Sequence, residues 1–152
     1  MFSIGNRKSA IGNSMTPKEM QARTKAFAVR VIKLADALPR GLAPQVIGRQ
    51  LIRSATSVGA KYRAACRAQS RAEFAAKLSI VVEESDESLY WLELVRETGL
   101  LRPELLSAII KEANQLVAIA LTPRKTAKAH GRAANRQLAI GNRQLQGVHH
   151  ES

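Results

Sequence analysis

The sequence predicts an all-α fold, an antiparallel up-down four-helix bundle, and three observations carry that reading. Hydrophobic residues make up 45% of the chain and aromatics only 4%, so Ala, Leu, Ile and Val must build the core, which suits helix-on-helix packing better than a sheet. In the middle of the chain the apolar residues recur at three- and four-residue steps, the period of an amphipathic helix. Four such stretches are separated by short breaks, and short links favour antiparallel neighbours. At 152 residues the chain is the size of one domain with one core.

The first helix should open at Thr16-Pro17-Lys18-Glu19, a capping box. The Thr hydroxyl can accept from a free amide of the first turn, Pro17 removes no needed donor, and Glu19 can reach back to the cap. Met20, Phe27, Val31, Leu34 and Leu38 then share one stripe until Pro39 and Gly41 stop the helix. A second helix is predicted from near Pro44 to about Ala68, with Ile47, Leu51, Val58, Tyr62 and Ala65 inward. Ser70-Arg71-Ala72-Glu73 repeats the capping-box pattern and opens a third helix that Gly99 stops after Thr98. Its core stripe is Phe74, Leu78, Val81, Ser85, Leu92 and Val95. Pro103 opens the fourth, with Leu106, Ile109, Ile110, Ala113, Leu116, Val117 and Ala120 inward, and Thr122-Pro123 closes the ordered region.

Both ends read differently. Ile-Gly-Asn recurs at 4–6, 11–13 and 140–142, and Asn-Arg-Gln-Leu at 135–138 and 142–145. Repeats this rich in Gly, Asn, Gln and Arg have little apolar surface to offset the entropy of ordering, so disordered N- and C-terminal tails are expected at 1–15 and 123–152, around a bundle at 16–122. Met15 offers a second start.

A net charge of +12 points to polyanionic partners, and its distribution is uneven. Residues 1–17 carry +2, residues 18–122 carry 16 basic against 11 acidic groups, and residues 123–152 carry 6 against 1. The single cysteine, Cys66, allows no internal disulfide and fits a reducing compartment. The N-terminus reaches charge before any signal-like apolar stretch, and no later run reads as a membrane span of ~20 residues, so a cytoplasmic protein is expected.

Between Arg40 and Arg71 there are seven basic residues and no acidic one. On a helical wheel Arg49, Arg53, Arg63 and Arg67 fall within about 40° of a common direction, opposite the core stripe. Planar guanidinium forks suit phosphate, which makes these four the candidate nucleic-acid-binding residues. The alternative is a solvated face, or one that docks on acids of a neighbouring helix. On the third helix Ile80, Trp91 and Leu94 form a second apolar strip interleaved with Glu84 and Glu87. These five are the candidate oligomer interface, against a single wide core that wraps around the helix.

No constellation for catalysis is found, so no enzyme and no cofactor are expected. The cluster Glu83, Glu84, Asp86 and Glu87 lacks the Glu-x-x-His pairs of bundle metal sites, and His130, His149 and His150 all fall in the C-terminal tail, so no metal is expected. Cys66 reads as a small packing residue, and Ser54, Ser57, Ser79, Ser85 and Ser88 as small residues that let helices approach or bond the preceding turn.

The stretch QLIRSATSVGA (50–60), followed by Ser70-Arg71-Ala72-Glu73-Phe74 and Lys77-Leu78, resembles the signature region of the bundle proteins named from open reading frames in 23S rRNA intervening sequences. Tyr90-Trp91-Leu92-Glu93-Leu94, shortly before Gly99-Leu100-Leu101, is similar to its second characteristic block; together the resemblance spans about residues 17–121. It implies ring- or barrel-shaped homo-oligomers, often pentamers. One relative, the accessory variability protein of diversity-generating retroelements, is a basic pentamer that works with a reverse transcriptase and nucleic acid. Lys61 and Ala64 stand where that family commonly has Asn and Glu, so one polar network is altered and the second helix is more basic. The resulting expectation is a non-enzymatic homo-oligomeric scaffold that binds RNA or DNA, or a nucleic-acid-handling protein, with a purely structural or protein-interaction bundle as the alternative.

Overall fold

A computed structural model describes residues 15–146 as four helices: α1 (Pro17–Asp36), α2 (Leu42–Ala65), α3 (Arg71–Glu97) and α4 (Pro103–Gln146). Each helix begins where local chemistry supplies its free amides with partners. Thr16 accepts from the Glu19 amide at 3.2 Å while Glu19 Oε2 accepts from the Thr16 amide at 2.7 Å, the complete capping box. At α3 only half of the second box forms. Ser70 accepts from the Glu73 amide, but Glu73 reaches past the cap to the Gln69 amide at 2.9 Å. Those backbone bonds, from Thr16 to Glu19 and from Gln69 to Glu73, hold both carboxylates below their ordinary range.

Gly41 (φ 148°) and Gly99 (φ 67°) occupy the two positive-φ positions among the described residues, one before α2 and one after α3. The positive φ at Gly41 lets the chain turn directly into Leu42, so α2 starts two residues ahead of the expected Pro44. It also ends early. The amides of Arg67 and Ala68 donate to Ala64 and Ala65, i→i−3 bonds that tighten the last turn after the cap at Cys66.

The core is one cluster drawn from all four helices, with Phe27, Val31, Leu51, Val58, Leu78, Val81, Leu92, Val95, Leu106 and Leu116 essentially sealed from water. Every residue of the four predicted stripes is buried, except that Leu34, Leu38, Phe74 and Val117 are half-buried at the edges. Helix α3 packs against both α2 and α4, α1 packs mainly on α2, and α1 and α3 stand diagonally opposed with no close approach of their backbones. Where α2 crosses α3, Ser54 and Ser88 are fully buried with their hydroxyl oxygens 3.0 Å apart. Leu51 and Glu84 carbonyls accept from them, at 3.2 and 2.8 Å, so the small residues close the interface with no stranded hydroxyl. A half-buried bidentate pair, Arg23 to Glu112 at 2.6 and 3.0 Å, ties α1 to α4.

Two expectations fail at the C-terminal end. Helix α4 does not stop at Thr122-Pro123 but continues to Gln146. Ala, Lys, Arg, Gln and Leu dominate that stretch and favour helix by intrinsic propensity, and a single Pro removes one donor without ending a helix already nucleated by its packed half. The stretch Pro103–Thr122, mean hydropathy 1.3, is also long and apolar enough by length and composition to cross a membrane. Its apolar flank is used in the bundle, where Leu106, Ile109, Ala113, Leu116 and Ala120 are buried. Of the N-terminal tail expected at 1–15, residues 1–14 lie outside the described residues.

Candidate nucleic-acid interface

The arginine face of α2 divides into two parts. Arg49, Arg63 and Arg67 are exposed, and among the described residues none of them pairs with a carboxylate. Arg67 is not on the helix itself but in the turn beyond its cap, because the last turn tightens at Cys66. Arg53 has a different role. Its guanidinium donates to Glu87 and lies 3.5 Å from Glu84 Oε2, so it crosses from α2 to α3 within one chain. Gln50 accepts from Arg53 Nε at 3.0 Å and fixes the fork in that orientation.

Glu84 and Glu87 therefore sit in the α2–α3 groove. Glu87 also accepts from Trp91 Nε1 at 3.1 Å, and the hydrogen bonds from Arg53 first and Trp91 second hold its carboxyl below the usual range. Glu84 Oε2 is shut off from water and accepts no hydrogen bond, so the nearby Arg53 charge is its compensation. Trp91 and Leu94 are half-buried, and Trp91 packs on the core, while Ile80 is exposed. Of the five residues assigned from sequence to a subunit interface, three are thus engaged within the chain. The sequence pattern had no signal for that split, because helix periodicity fixes a direction on the wheel and not which neighbouring helix stands there.

Cys66 is half-buried beside Tyr62, and burial first, then that neighbour, pushes the Tyr62 phenol up. Among the described residues no group of three or more His, Cys, Asp or Glu side chains is placed to hold a metal. Phe27 and Tyr62 are buried, Phe74 and Trp91 half-buried, and Tyr90 is exposed, but on α3 rather than beside the arginines. Among the described residues the basic face therefore has no aromatic platform for bases beside it.

Fold and surface together define a class, an all-α bundle that presents exposed guanidinium groups on one flank. The chain belongs to the family of 23S rRNA-intervening sequence proteins, whose family model matches residues 18–121. It is also similar to a crystal structure of a protein with unknown function from the S23 ribosomal protein family of Bacteroides thetaiotaomicron, at 33% identity and a TM-score of 0.66, over 72% of this chain and 97% of that one. No curated protein matches. The family match ends one residue past Ala120, the last residue of α4 described as buried, and leaves out the continuation of the helix past Pro123.

Proposed function

We propose that this protein is a non-enzymatic, homo-oligomeric helical scaffold of the cytoplasm that binds nucleic acid, or a partner that handles it, through the basic flank of α2. A pentamer is the assembly that the family resemblance suggests. The observation that carries the binding reading is the exposure of Arg49, Arg63 and Arg67 in a stretch, 40–71, with seven basic residues and no acid. Cytosolic residence is supported by the lone, half-buried Cys66. The second reading, a bundle whose charges serve structure, is favoured by Arg53, which is committed to Glu84 and Glu87.

The test is a titration of the full chain with RNA and with double-stranded DNA at several salt concentrations, beside an Arg49→Ala, Arg63→Ala, Arg67→Ala variant that keeps the Arg53 link. Every phosphate neutralised by one arginine contributes about 0.9 to the slope of log affinity against log salt, so the slope of the triple variant should be shallower by roughly 2 to 3. An unchanged affinity and slope would move the binding off this face and leave the structural reading in its place.

A further inference from the structure

The outer face of α3 is acidic. Glu83, Asp86 and Glu97 are exposed, Glu93 is half-exposed, and among the described residues none of the four forms an ion pair. Two apolar side chains stand among them, Ile80 at 39% and Tyr90 at 53% exposure. The spacing of Ile80, Glu83, Asp86, Tyr90 and Glu97 places them on one flank of the helix.

The diagonally opposed surface is its complement. On α1, Lys25, Arg30 and Lys33 are exposed and, among the described residues, form no ion pair, and Val29 (44%) and Ile32 (39%) lie among them. Asp36 is the one exposed acid between Lys25 and the end of α1. Beside Arg30 and Lys33 a groove of about 290 Å³ opens between α1 and α4, walled by Leu34, Leu101, Leu105 and Ile109. Leu105 remains 49% exposed there.

Neither face can satisfy the other within a chain, because α1 and α3 stand diagonally across the bundle and both faces point outward. Two different, mutually complementary patches on opposite sides of one molecule make a heterologous contact, in which each copy offers one patch to the next and the other to the one before. We propose that copies of this chain join head to tail, the acidic, Tyr90-bearing face of α3 on one copy seating against the basic, apolar face of α1 and its groove with α4 on the next. This rests on the homo-oligomeric reading above and specifies its interface. It moves the contact outward on α3, keeping Ile80 and replacing the internally engaged Glu84, Glu87 and Trp91 with Glu83, Asp86 and Tyr90.

Light scattering on nuclease-treated full chain tests it, with Glu83→Lys, Asp86→Lys as one variant and Arg30→Glu, Lys33→Glu as the other, and circular dichroism on both. The wild type should be an oligomer, and each variant should self-associate about a hundredfold more weakly or worse, since like charges then face each other across the contact. Mixing the two variants should restore a large complex, because each then supplies the charges the other needs. A monomeric wild type would overturn the oligomeric reading itself. A wild-type oligomer whose mass survives both variants, or two folded monomeric variants that do not associate on mixing, would overturn this pairing of faces alone.

Discussion

Arg53 and Glu87 show how much one side chain can redirect a face. An arginine among four on the same flank would ordinarily be a solvated cation, and single surface ion pairs contribute little. Here the acids it meets are held in a groove, one with an occluded oxygen, so removing the cation leaves Glu84 uncompensated. Because Glu87 has its carboxyl depressed in the fold, the stability it contributes is present above its ordinary value of 4.5 and is lost as the pH falls through the lower folded value. Arg53→Ala should therefore raise the Glu87 pKa toward that ordinary value in an NMR titration and narrow the acid range over which the bundle stays folded. Arg49→Ala should do neither. A Glu87 titration indifferent to Arg53 would show that the pair does not form in solution.

At the scale of the element, α4 is two helices in one. Up to Ala120 it is held by burial, whereas the side chains described beyond Pro123, those of Arg132, Ala133, Asn135, Arg136 and Gln137, are all exposed. A helix that exposes such side chains draws more on intrinsic propensity than on burial, and propensity alone is marginal for a segment of this length. A chain ending at Thr122 should therefore keep its unfolding free energy within about 0.5 kcal/mol of the full chain while losing the far-ultraviolet helix signal of the removed turns. A loss of several kcal/mol in denaturant titration would show that the distal half is packed on the bundle.

For the molecule as a whole, a single cluster fed by all four helices should unfold as one cooperative unit. Leu92 is fully buried in α3, the helix that packs on both α2 and α4. Leu92→Ala should cost roughly 2–5 kcal/mol, from the forfeited transfer of the side chain and the cavity left behind. It should appear as one shifted transition, by circular dichroism and Trp91 fluorescence alike, with the slope against denaturant unchanged. Separate transitions would mean that α1, which meets α4 only lightly, detaches on its own.

What the sequence determined by itself was everything that depends on neighbours along the chain. Three- and four-residue spacing marked the inward stripes from Met20 to Ala120, and Thr16, Ser70, Pro103 and Gly99 marked helix ends, because caps and amphipathic periods are local chemistry. The family resemblance was legible too, from short blocks within 50–101. Tertiary structure alone decided which charges remain available. Arg49 and Arg53 are equivalent on a helical wheel, yet only Arg53 stands opposite Glu84 and Glu87, a fact about how α3 lies along α2 that no spacing in either helix encodes. The same holds for the outer faces of α1 and α3, since their opposite charges take on meaning only once the bundle has set the two helices diagonally apart.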